Sequence, residues 1–290
     1  MHAQLIPTTL SEEATDAFAD LLKGRADDGL NDDHFARDWS SLWDELVRDG
    51  WTAIADSADG DFSLLDLTAF ARVWGRYLVP LPFVPTLVAR RGLATPPEPG
   101  ARLTYAAAEP GLTLLPYGPV AAAALTADGL VEAANLPEAL GVDDWAASAP
   151  VTLLPAGVGP ASASVRREGA ILAAAEAVGA AAALLRQSVD YARVREQFGQ
   201  PIGRFQAIKH RLANMHCDVE LATSALAWAC FEPDEAGRAL TVALGQCLRV
   251  AEAAVQVHGG IGYTWEAAPH RYYRHIMTMR RIVAAAAGQA

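Results

Sequence analysis

Cysteine, histidine and positive charge are all scarce in this 290-residue chain, and each scarcity excludes a class of function. The three cysteines, Cys217, Cys230 and Cys247, lie in segments of helical character with no CxxC pairing. A disulfide framework or zinc site has little to build on, and a reducing compartment suits them. The seven histidines are scattered; His210 and His216 are six apart, off the spacing that puts two ligands on one helix face. Lys and Arg total 23 against 34 acidic residues, a net charge of −11. That balance argues against nucleic acid or an anionic membrane as partner, with only local clusters such as Arg166-Arg167 and Arg280-Arg281 opposing it. The opening MHAQLIPTTLSEEATDAF has neither a basic n-region nor an apolar h-region, and the longest apolar runs are Ala-rich and broken by charge. The expectation is a cytoplasmic protein. GxSxG, GxxxxGK[ST] and HExxH are absent, which removes nucleophile-elbow, P-loop and zincin chemistry. The Gly-rich VHGGIGY follows a helical pattern, not a strand, so a dinucleotide-binding turn is excluded too.

What is present is apolar residue in quantity, 52% of the chain, arranged in three parts. Residues 1–93 read as a helical domain. Thr9-x-x-Glu12 predicts a capping box ahead of Ala14, Phe18, Leu21 and Leu22, with Gly24 as the stop. Asp38 is placed to cap a helix carrying Trp39, Leu42, Trp43 and Leu46, ended by Gly50; the Trp stripe reads as core. Ser63-x-x-Asp66 predicts a third helix with Leu67, Phe70, Trp74 and Leu78, stopped by Pro80 and Pro82. Residues 94–160 carry short apolar segments between Pro and Gly, which predicts a small β domain with a hairpin turn at Asp128-Gly129. Residues 161–290 return to helical periodicity. Ile171, Ala175 and Val178, then Met215, Val219, Ala222 and Leu226, then Leu240, Leu244, Cys247 and Ala251 mark three long helices of a bundle.

Two motifs interrupt the bundle. YARVREQFGQPIGRFQAIKHRLANM, followed some way on by QVHGGIGYTWEAAPHRYYR, resembles the C-terminal helical domain of the acyl-CoA dehydrogenase family. LWDELVRDGWTAIA and LLDLTAFARVWGRYLVPLPFVPTLVARRGL resemble that family's first helical domain. The resemblance implies a mostly α, acyl-CoA dehydrogenase-like fold: an N-terminal helical domain, a reduced β domain and a C-terminal four-helix bundle. It further implies FAD as cofactor. By position, Arg195 and Gln197 would face the pyrophosphate, Phe198 would lie against the flavin nucleotide, and Gln206 would approach the adenosine half. Gln256, Gly259 and Gly260 would hold the ADP portion. Arg suits phosphate because its planar fork bonds two oxygens at once. The alternatives are an intersubunit salt bridge for Arg195 and a plain helix cap for the Gly pair.

The chain also departs from the family. The segments that wrap the flavin ring have no counterpart in 94–160. The usual catalytic carboxylate, counted from Gly259, falls at Val283 or Ala284, and no acid follows Glu266. A base carried on the first bundle helix would fall at Gly169, with Glu168 one residue away and so a candidate base only if the helix starts irregularly. Glu176, alone among alanines, has no assigned role. This combination resembles the small, degenerate subunit of actinobacterial heteromeric acyl-CoA dehydrogenases. It implies an α2β2 assembly with a larger partner, an FAD site shared between unlike chains and an acyl-CoA substrate of steroid or polycyclic type; the electron acceptor is left open, the net charge being compatible with an electron-transfer flavoprotein as partner. A self-sufficient homo-oligomer using Glu168 and a non-catalytic scaffold are the competing readings.

Overall fold

The computed structural model describes residues 9–25, 34–35, 37–56, 62–264 and 267–287. Four helices lead: α1 (Thr9–Arg25), α2 (Ser40–Arg48), α3 (Leu64–Tyr77) and α4 (Phe83–Arg91). Their starts follow local chemistry. Ser63 accepts a hydrogen bond from the Asp66 amide, and the Asp66 carboxylate accepts one from the Ser63 amide at 2.8 Å, the reciprocal box expected. Asp38 takes up the Ser40 amide at 2.9 Å, although Trp39 is the residue at the cap position of α2. Gly24 does not stop α1, which runs on to Arg25; its single-glycine cost is small against the burial of Phe18 and Leu22. The side chain of Thr9, expected in a capping box, lies outside the described residues. The Trp stripe is core: Trp39, Trp43 and Trp74 are all buried, and Trp74 meets Phe83 with ring centroids 4.8 Å apart. Helix α4, which sequence patterning did not separate, begins immediately after Pro82.

Seven short strands follow in two sheets. One has order β1-β4-β5, from Leu103–Tyr105, Ala123–Thr126 and Gly129–Glu132; the other has order β2-β3-β7-β6, from Ala107–Glu109, Leu112–Pro116, Val151–Pro155 and Gly141–Asp143. The β4–β5 hairpin forms, but Thr126 pairs with Gly129, so Ala127 and Asp128 are the turn residues and Gly129, at φ 100°, opens β5.

The bundle comprises α5 (Ala163–Val194), α6 (Gln206–Phe231), α7 (Ala236–His258) and α8 (Pro269–Ala287). Between α5 and α6 lies a two-residue hairpin, β8 (Glu196–Gln197) with β9 (Gln200–Pro201). Helix α5 is the axis of the molecule, packing on α3, α4, α6, α7 and α8. Both α5 and the 233–263 stretch are long and apolar enough to cross a membrane, but the apolar window of α5 is 83% buried inside the fold, as a core helix is. Arg281 ties α8 to the second sheet, with two bonds to Glu109 at 2.7 and 2.8 Å and one to Asp143 at 2.6 Å.

The α3–α5 crossing is set by two glycines. A Cβ on Gly75 would collide with the backbone carbonyl of Glu176, and one on Gly179 with that of Arg72. Neither obstacle is a movable side-chain tip. Gly179→Ala is therefore expected to destabilise the chain by about 1–3 kcal/mol through overpacking, visible as a lowered thermal unfolding midpoint, whereas alanine at the unobstructed, exposed Gly245 should not.

Candidate flavin-nucleotide end of the bundle

Seven of the eight expected site residues gather at one end of the bundle. Tyr191, near the end of α5, stacks on His258, the last residue of α7, with centroids 4.4 Å apart. That contact brings the hairpin, the start of α6 and the Gly-rich end of α7 together. Arg195 caps α5, its amide donating to Tyr191 O at 2.8 Å and its carbonyl accepting from Ile202 N at 2.8 Å. With its backbone fixed, its guanidinium is exposed, and among the described residues no carboxylate pairs with it. Gln197 is exposed and donates only to the neighbouring Glu196 carbonyl.

Phe198 and Gly199 form the hairpin loop with φ of 52° and 77°, both left-handed. Such a turn favours Asn-Gly, and a bulky residue in its first position is strained. Phe198 is nonetheless 93% exposed, with a single ring contact among the described residues, edge-on to Phe205 at 6.1 Å between centroids. The chain gains little by burying this ring within itself. Gln206 opens α6 and is exposed. Gln256, on α7, reaches Tyr263 OH at 3.4 Å; Gly259 ends α7 at φ 64°, and a Cβ on Gly199, Gly259 or Gly260 would point into open space. Beside them lies a groove of about 860 Å³ lined by Arg211, Asp218, Arg249, Gln256, Tyr263 and Tyr273, with Arg249 and Asp218 paired at 3.1 Å. An unpaired guanidinium, polar amides and bare backbone around an open cradle fit the pyrophosphate and nucleoside of FAD.

Glu168 is elsewhere. It stands in the second turn of α5, with Oε2 3.0 Å from Arg91 Nε at the seam with α4. At 1.5 Å per residue, about 40 Å of helix separates it from Arg195. Gly169, the position matched to a helix-borne base, faces the buried ring of Tyr105, which a Cβ there would strike. Val283 and Ala284 sit within continuous helix α8, Val283 buried, so the position counted for the usual carboxylate holds neither acid nor loop.

Glu176, two turns beyond Gly169, is fully enclosed between α5, the first sheet's connections and α8. Its Oε2 accepts a bond from Tyr117 OH at 2.7 Å and lies 3.6 Å from His275 Nε2, while His275 Nδ1 meets Ser148 Oγ at 2.9 Å. Desolvation raises the Glu176 carboxyl to about 8, against a Tyr117 bond that lowers it, and desolvation drops the His275 imidazole to about 3. Burial thus favours the neutral form of both groups, which opposes an ion pair at this contact. The same burial and the nearby carboxyl push Tyr105 and Tyr117 above their usual range. This cluster was not legible in sequence beyond the oddity of one acid among alanines. It closes the β region onto α5 and α8.

Residues 166–282 match the family model for the acyl-CoA dehydrogenase C-terminal domain. The chain has the acyl-CoA dehydrogenase fold, and that stretch is similar to the family's C-terminal domain. The acyl-CoA dehydrogenase IpdE2 of Mycobacterium tuberculosis is 44% identical over 107 residues, covering 36% of this chain and 34% of that protein. The match thus spans about a third of that relative's length. Among solved structures, the ChsE4-ChsE5 complex from Mycobacterium tuberculosis aligns at TM-score 0.78 with 22% identity, over 99% of this chain and 96% of that one. A Tcur3481-Tcur3483 steroid ACAD variant aligns at 0.75 with 22% identity, over 97% and 95%. At those identities the likeness establishes the three-part acyl-CoA dehydrogenase fold.

The two neutral groups give the stability a pH signature. The folded pKa of Glu176 exceeds its unfolded value near 4.5, so its contribution is complete below that value and is lost as pH rises toward about 8. His275 works oppositely, costing stability as pH falls from 6.5 toward about 3. Between pH 6.5 and 8 only the Glu176 slope remains of the two. Thermal unfolding should show stability falling with pH across that window, and Glu176→Gln, which still accepts from Tyr117, should flatten the fall.

Proposed function

We propose that this chain is a subunit of a heteromeric FAD-dependent acyl-CoA dehydrogenase, acting in the α,β-dehydrogenation of an acyl-CoA thioester. The observation that carries the reading is the outward end of the bundle: a strained, bared Phe198 beside an unpaired Arg195 and open glycines, at the far end of α5 from this chain's own sheet. FAD, when bound, accepts the hydride that leaves the β-carbon as a base takes the α-proton. The chain's residues act on the nucleotide part. Arg195 and Gln197 bind the pyrophosphate, Phe198 covers the nucleotide, Gln206 approaches the adenosine, and Gln256 with Gly259 and Gly260 admits the ADP portion against bare backbone. A nucleotide held at Arg195 cannot also lay its ring against Glu168, about 40 Å along the helix, and the space beside Gly169 is taken by Tyr105.

The ring and the base therefore belong to a larger partner in an α2β2 assembly. Glu168 is engaged by Arg91, Glu176 is sealed and protonated, and Val283 and Ala284 cannot accept a proton. Among the described residues, none of the positions considered for the self-sufficient reading offers an accessible base. A steroid or polycyclic CoA thioester is the substrate class that the two-name complex and the steroid ACAD among its structural neighbours favour. An electron-transfer flavoprotein as acceptor and a cytoplasmic location complete the proposal.

Phe198→Asn separates function from folding. Asn-Gly suits the turn, so stability should hold or rise by a few tenths of a kcal/mol, while FAD retained by the assembled complex falls. Arg195→Ala should lower retention by about tenfold or more, as expected for a lost charge-assisted contact. Native mass spectrometry of the gently purified complex reads both, with one FAD expected per unlike pair. Full FAD retention in both variants would leave only a scaffold role.

A further inference from the structure

At the opposite end of α5, cations collect that the flavin site does not use. Helix α5 has no acid in its first turn and places Arg166 and Arg167 directly after it. A helix start already carries about half a positive charge, so two guanidiniums there oppose it. Among the described residues no carboxylate pairs with either one, because the adjacent Glu168 is held by Arg91. Arg166 Nε and Arg167 Nη1 are buried without a hydrogen-bond acceptor. Orphaned guanidinium nitrogens of this kind are costly unless an anion meets them.

Both arginines line a groove of about 320 Å³ with Arg238, whose exposed pairing to Glu235 is 3.2 Å long. Asp234 is the acid on its wall, so cations prevail. The groove adjoins a second of about 330 Å³, with Gly237, Leu240 and Ala287 lining both. The second is apolar, walled by Leu244, Leu248 and Val283, with exposed Arg280 at its edge.

We propose that this double groove binds an amphipathic carboxylate, its head on Arg166 and Arg167 and its apolar body along the α7–α8 wall. Guanidinium forks match a carboxylate in two bonds. The shared wall requires the charge to be attached directly to the apolar body; a CoA ester places its long pantetheine arm between phosphate and acyl chain. The site stands apart from the flavin end and does not rest on the dehydrogenase reading.

The test is calorimetric titration of the full chain, with any partner it retains, using decanoate, acetate and CoA. Decanoate should bind, acetate about tenfold or more weaker for want of buried methylenes, and CoA should neither bind there nor displace decanoate. R166Q/R167Q should weaken decanoate by about tenfold or more while leaving the unfolding midpoint unchanged or raised. If that double variant fails to fold, the single Arg167→Gln should still weaken decanoate severalfold. Absence of decanoate binding, or binding indifferent to the arginines, overturns the proposal; so does CoA displacing decanoate, which would assign the cations to a nucleotide phosphate.

Discussion

Gly75 and Gly179 bring α3 and α5 together backbone to backbone, and the rest of the molecule is arranged around that contact. A helix covered on every side by others must carry small residues, which is why α5 is so rich in buried alanine. Alanines bury little area each, so the stability of this core comes from closeness of approach more than from large side chains. The larger aromatic payload sits one layer out, where Phe18, Phe70, Trp74 and Phe83 interlock beneath α1 and α3.

The tight axis leaves no slack for a charged group, yet Glu176 lies on it. The chain accommodates the carboxyl by keeping it neutral and supplying Tyr117 from the β region, with His275 and Ser148 completing the polar seam. The seam joins helix α5 and helix α8 to the β region through side chains alone. Closure at one end of α5 and openness at the other are thus two sides of one architecture: the buried half is structural, and the outward half presents Arg195, Phe198 and Gln256 to whatever covers them.

Features that depend on neighbours in sequence were legible. The Ser63–Asp66 box, the α6 seam of Met215, Val219, Ala222 and Leu226, and the break in the bundle between α5 and α6, though not its hairpin form, each follow from residues a few positions apart. The Asp128-Gly129 turn was located within one residue, because Gly signals a left-handed φ without saying which side of the turn it occupies. The fourth bundle helix followed from the family resemblance and was not placed from its own residues, although Tyr272, Ile276, Met279 and Val283 recur at helical steps in α8. The Glu176 cluster could not be seen, since Tyr117 is 59 residues away and Ser148 meets His275 across 127.

The missing base and the sealed sheet are coupled by α8. Arg281 reaches Glu109 and Asp143 only because the helix holds its phase through this region, and that same phase turns Val283 inward against Leu240 and Leu244. A loop at this point would release the clamp on β2 and β6. A carboxylate introduced at Val283 without such a loop would be buried among apolar side chains with no partner, and would take up a proton instead of serving as a base. Placing an accessible carboxylate at this point of α8 therefore demands a rebuilt backbone, not one substitution, which is the packing constraint behind the proposed supporting role.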